Sequence, residues 1–95
     1  MDDTNSTQIK EDMLHITVEV TEEYNRATKG HAPFNTAHEG FAVLLEEVDE
    51  LKAEVWKNKT KRDPEQMRRE AVQVAAMAMR FIHDVCDTPG KVRIA

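Results

Sequence analysis

Four carboxylates crowd into the five residues 46 to 50: Glu46, Glu47, Asp49 and Glu50. Carboxylate oxygens are hard donors, the kind that Mg2+ and Mn2+ prefer. Glu47 and Glu50 stand three apart, so on a helix they lie one turn from each other. Twenty residues after Glu50 the spacing returns as Glu70 and Gln73. Three acids and an amide are a plausible donor set for one or more divalent cations. The Gln73 amide oxygen can ligate a metal but brings no negative charge and cannot act as a base. A solvated acidic helix face uses the same residue types, so the elements around these residues have to decide between the readings.

Those elements read as helices. Phe41, Leu44, Leu45, Val48, Leu51 and Val55 recur at helical spacing through the acidic run. At about 100° per residue they share one side, while Glu46, Glu47, Glu50 and Glu54 share the other, with Glu47 at the border. Thr36-Ala37-His38-Glu39 matches a capping box and predicts a helix from about Thr36 to Lys57. Before it, Ile9, Met13, Ile16, Val20, Tyr24 and Ala27 form one stripe, predicting a first helix over 8–28 that Gly30 and Pro33 close. After a basic loop, Asp63 as cap and Pro64 at the first helical position predict a third helix running to about Val85. Its inward positions are Met67, Ala71, Val74, Ala75, Ala78, Phe81, Ile82 and Val85, and Pro89 and Gly90 end it. The fold class is all-α: a single antiparallel bundle of about three helices over 8–88, between a tail at 1–7 and a tail at 89–95. Each stripe is wide for so small a domain, which predicts completion of the core by oligomerisation.

A short loop between antiparallel helices brings residues equally far from it level with each other. That sets Glu50 opposite Glu70 and Glu47 opposite Gln73. Asp84 shares a face with Gln73 three turns further on, too distant to replace it.

Composition narrows the function classes. The chain has 95 residues, a formal net charge of −5 and one cysteine, Cys86. The acidity argues against stable nucleic-acid binding, which needs a basic surface. One cysteine permits no internal disulfide, and the polar, acidic start does not read as a signal peptide. No apolar run is long enough to span a membrane. Together these predict a cytoplasmic protein. Cys86 reads as a small apolar packing residue near a helix end.

The order Glu46-Glu47-x-x-Glu50, a spacer, then Glu70-x-x-Gln73 resembles the MazG-like all-α nucleoside triphosphate pyrophosphohydrolases, whose motif is EExxE followed by ExxD on two facing helices. The resemblance covers roughly residues 36–85. It implies a MazG-like bundle that assembles as a homodimer or homotetramer and, with Mg2+ (or Mn2+), cleaves a nucleoside triphosphate to monophosphate and pyrophosphate. By position it implies Glu47, Glu50, Glu70 and Gln73 as the metal site, with Glu46 and Glu47 in the catalytic part of the motif. Gln73 departs from the pattern, since the family carries aspartate there. The alternative is therefore a MazG-fold regulator that binds nucleotide or protein with weak turnover or none.

Two further groups of residues are candidates for substrate contacts. Lys57, Lys61, Arg62 and Arg69 cluster around the second turn and are candidates for phosphate; a solvated basic loop is the plain alternative. Phe34, Asn35 and His38 lie at the start of the second helix, where a nucleotide base or ribose could rest. A simple connecting loop is the plainer account of them.

Overall fold

The computed structural model describes residues 3–88, with side chains from residue 5. Residues 1–2 and the tail expected at 89–95 lie outside them. Among the described residues there are three α-helices and no strand: α1 (Asp3–Thr28), α2 (Ala37–Val55) and α3 (Pro64–Phe81). A short 3-10 turn, Lys59–Lys61, sits in the α2–α3 connection, and a π-helical turn, Ile82–Cys86, continues α3. Among the described residues no helix is long and apolar enough to cross a membrane.

The helix starts follow the local chemistry. Thr36 stays extended and its hydroxyl accepts from the Glu39 backbone N–H at 3.0 Å. Glu39 reaches back one residue further than a capping box requires, taking both the backbone N–H and the side-chain amide of Asn35. Asp63 caps α3 by accepting from Glu65, with Pro64 in the first turn. Gly30 has φ +77°, a left-handed conformation that lets the chain leave α1 without a Cβ clash. The α1 helix starts at Asp3, inside the stretch expected as a tail, because Asp3 to Gln8 hold helical geometry without any apolar period to signal it.

In the bundle, α2 and α3 are antiparallel: Glu47 meets Gln73, and Gly40 meets Phe81 at the other end. Along the opposite side of α3, α1 runs in the same direction as it, with Glu19 against Arg68 and Tyr24 against His83. One core cluster joins Val20, Ala76 and Met77, with Tyr24, Ala27, Val43, Leu44, Val72 and Ala75 around them. A second joins Phe34 and Val85 to Ala37, Val43 and Phe81. Gly40 is required here. A Cβ at this position would lie 2.9 Å from the Phe81 ring and 3.0 Å from Phe34.

The core is smaller than the apolar stripes predict. Fully buried apolar residues are Val20, Phe34, Ala76, Met77 and Val85. Ile9, Met13 and Ile16, expected inward, are exposed, as are Phe41 at 58% and Ile82 at 52%. Ala71 and Cys86 are exposed as well. For Ile9, Met13 and Ile16 the cause is geometric. With 26 residues, α1 is roughly 39 Å long, whereas the 19 residues of α2 and 18 of α3 reach roughly 28 Å. Its outer half therefore projects past the pair it packs on. The radius of gyration, 16.0 Å, exceeds the roughly 12 Å of a compact domain of this length.

Candidate functional site

The acidic residues of α2 and α3 converge. Glu47, Glu50 and Glu70 each present an oxygen such that all three lie within 4.8 Å of one another. Helical spacing puts Glu47 and Glu50 on one side of α2, and the antiparallel pairing brings Glu70 level with them. Glu47 and Glu70 are half-buried and Glu50 is exposed, so the cluster is open to solvent on one side. Glu46 is exposed and is not among the three residues whose oxygens converge.

Gln73 belongs to the same cluster. With its nitrogen towards the acceptors, its amide donates to Glu47 Oε2 at 3.0 Å and Glu70 Oε2 at 3.1 Å. The other oxygen of Glu70 accepts from Gln66 at 2.9 Å. Two amides thus bind Glu70 without supplying any positive charge. Glu47 shows the consequence. Partial burial pushes its carboxyl up to about 7, and the charge and shared hydrogen bond of Glu50, then Glu70, then Glu23, push in the same direction. Like charges held together without a cation favour the protonated form.

Glu23 comes from α1, so a third helix reaches the cluster. Nothing in the spacing of the motif residues pointed to it. The available signal was the charged border Glu19, Glu22, Glu23 and Arg26 running beside the α1 stripe at intervals of three and four. These four residues form one wall of a cavity of about 200 Å3. The opposite wall is α3, through Arg68, Arg69, Val72 and Gln73. Gln73 therefore lies both in the cavity and in the carboxylate cluster.

The candidate phosphate residues separate. Arg69 lines the cavity and donates to Gln66 at 2.8 Å. Lys57 is paired with Glu54 at 2.8 Å, and Arg62 donates to the Lys57 carbonyl at 3.2 Å. Lys61 is exposed in the 3-10 turn. Arg69 thus stands on the cavity wall, and the other three stay in the connecting loop.

The candidate nucleotide residues lie at the far end of α3. Phe34 is 2% exposed and has the Arg80 guanidinium 4.0 Å from its ring centre, so its faces are taken by core contacts and not open to a base. Asn35 is engaged by Glu39. His38 is exposed and lines an open apolar hollow with Ala37, Phe41 and Phe81.

A different constellation holds that end together. Asp84 is 5% exposed. It accepts from the Phe34 backbone N–H at 3.3 Å and lies 2.8 Å from His83 Nδ1. Arg80 Nε is 3.5 Å from Asp84 Oδ2, an ion-pair distance without hydrogen-bond geometry, and Arg80 Nη2 donates to the Ala32 carbonyl at 2.9 Å. These contacts tie the α1–α2 connection to the end of α3.

Comparison of the chain with protein-family models, with curated proteins and with solved structures finds no match. The functional reading therefore rests on the residues themselves. Three carboxylates and one amide oxygen, open on one side and with no ion pair to neutralise them among the described residues, fit a hard divalent ion. Turning the Gln73 amide would present its oxygen in place of its nitrogen.

Proposed function

We propose that the chain is a MazG-like, Mg2+-dependent (or Mn2+-dependent) nucleoside triphosphate pyrophosphohydrolase, converting a (d)NTP to (d)NMP and pyrophosphate. The observation that carries the reading is the convergence of Glu47, Glu50 and Glu70 to within 4.8 Å, with Gln73 among them. Glu47, Glu50, Glu70 and the Gln73 amide oxygen would hold the metal. When bound, a divalent cation neutralises phosphate charge during phosphoanhydride cleavage. The protein residues do the rest. A carboxylate oxygen of the cluster that is not taken up by the ion would orient the attacking water and accept its proton. Exposed Glu46 stands beside Glu47 in the motif without entering the cluster, which leaves it an outer, supporting part. As a nucleotide hydrolase the protein would act in control of the nucleotide pool, in the cytoplasm.

A homodimer or homotetramer belongs to this proposal. Ile9, Met13, Leu14, Phe41, Leu45 and Trp56 are all exposed apolar side chains on a domain with a small core of its own. Covering them against a second copy would supply the missing burial.

One observation favours a second reading, a nucleotide-binding or protein-binding regulator without turnover. Gln73 offers an amide nitrogen to the carboxylates where the resemblance calls for a fourth acid. A pyrophosphate-release assay over canonical and modified (d)NTPs, with Mg2+ or Mn2+, separates the two. Release that disappears in Glu50→Gln is the expected result. No release from any nucleotide at high protein concentration sinks the enzyme reading, and metal-dependent nucleotide binding without release establishes the regulator.

A further inference from the structure

The cavity between α1 and α3 has no role in the motif, and its lining is unusual for a nucleotide protein. It holds three guanidinium groups, Arg26, Arg68 and Arg69, opposite or beside the carboxylates Glu19, Glu22 and Glu23, and no aromatic ring on which a base could stack. It adjoins the carboxylate cluster through Gln73, and Glu23 on its α1 wall is close enough to act on Glu47. We infer that this cavity is an anion subsite that takes the outer phosphates of a polyphosphate, with Arg69 and Arg26 as the contacts.

The inference rests on the metal-site reading above and specifies where the substrate chain runs from it. Arg68 is committed: both its terminal nitrogens bind Glu19, which it holds below the usual carboxylate range. Arg69 is different. Its hydrogen bond goes to the neutral Gln66, and among the described residues no ion pair engages it. Arg69 and Gln73 are four apart on α3 and share a side of it. Arg26 spends Nε and Nη2 on Glu23, and among the described residues no hydrogen bond engages Nη1. Its side chain is 72% exposed, free to swing towards a ligand. A terminal phosphate is a stronger partner for guanidinium than a solvated carboxylate, because it carries more charge and more acceptor oxygens. Residues Lys57 and Arg62 of the basic loop are held within their own segment by Glu54 and the Lys57 carbonyl.

Calorimetric titration of the full chain with inorganic pyrophosphate, with and without Mg2+, tests the assignment. Arg69→Ala and Arg26→Ala should each weaken pyrophosphate binding by about tenfold or more, the loss of one charge-assisted contact. Lys10→Ala, on the outer half of α1, should stay within about twofold. Arg69→Lys and Arg26→Lys, which keep the charge but lose the fork, should recover part of the loss, separating a contact from a folding defect. Parent-like binding in both alanine variants overturns the subsite, as does a loss found instead in Lys61→Ala and Arg62→Ala. Binding that needs Mg2+ and Glu50 but neither arginine refutes the subsite and leaves the metal reading standing. Binding that needs both arginines but not Mg2+ does the reverse. A parent protein that binds no pyrophosphate at all overturns the subsite too.

Discussion

Two stretches of the α2–α3 pair place carboxylates between helices, and they treat them in opposite ways. At the α3 carboxy end, Asp84 is nearly fully buried and surrounded by what a carboxylate wants: a backbone N–H, an imidazole nitrogen and a guanidinium. In the middle of the pair, Glu47, Glu50 and Glu70 are less buried yet poorly provided for, with two neutral amides and one another for company. A buried acid that serves the fold comes with its counter-charges built in. A group of acids assembled without any is costly to the fold and suited to a cation that arrives from outside.

Substitution should therefore act with opposite sign in the two stretches. The largest effect is expected for Asp84→Ala, which strands Arg80 and frees the Phe34 N–H; it should lower unfolding free energy by about 3–5 kcal/mol in urea titration, with the metal affinity of the remaining folded protein unchanged. Close behind is Gly40→Ala, whose added Cβ meets Phe81 and Phe34; about 1–3 kcal/mol should be lost in the same assay. If Gly40→Ala is neutral, the two rings have room to shift and the end is looser than its contacts imply.

The carboxylate cluster should respond the other way. Glu47→Gln removes one of three like charges and should raise the stability of the metal-free protein at pH 8 by up to about 1 kcal/mol. The sign follows from the raised carboxyl. Glu47 ionises near its ordinary value when unfolded but only at about 7 when folded. Below the ordinary value both states are protonated and nothing is lost. As pH climbs towards 7 the unfolded chain releases the proton first, so the folded state is progressively disfavoured, and above 7 the penalty is constant. The gain from Glu47→Gln should accordingly vanish at about pH 4. Divalent-ion affinity should rise over the same interval, because the ion displaces that proton. A metal-free protein whose thermal melts favour pH 8 over pH 5 by the Glu47 contribution would break the contrast. The smallest effect is expected for Gln73→Asp. A fourth acid should lower metal-free stability by a few tenths of a kcal/mol and tighten Mg2+ binding by a few-fold. Unchanged affinity would mean that residue 73 does not face the ion.

What the sequence disclosed depended on how local the cause was. The starts of α2 and α3 were legible because Thr36, Asp63 and Pro64 act within a turn of themselves. The facing of Glu47 and Gln73 was legible because a short connection between antiparallel helices leaves little freedom in register. The contribution of α1 was not. Which flank of that helix meets the cluster depends on how it crosses α3, and Glu23 and Arg26 look like ordinary surface charge until it does. The exposure of Ile9 and Met13 was hidden for a similar reason, since a stripe in the sequence does not say how far its partner extends. Asp84 was placed on the Gln73 face by counting helical turns, a count that the π-helical turn beginning at Ile82 interrupts.

That turn has a consequence for how the chain can vary. The Asp87 N–H bonds to the Ile82 carbonyl, five residues back, so the segment carries one residue more than an α-helical turn would. In effect it is a single-residue insertion tolerated inside a helix. Deleting one residue between Ile82 and Asp84 would restore α-helical hydrogen bonding and keep the residues beyond the turn in phase, while moving Asp84 itself back towards the exposed place of His83. The carboxylate would leave the Phe34 N–H, while the helix itself stayed intact. Related chains of different length at this point should thus differ first in how their α1–α2 connection is anchored, with the carboxylates about three to four turns away left in place.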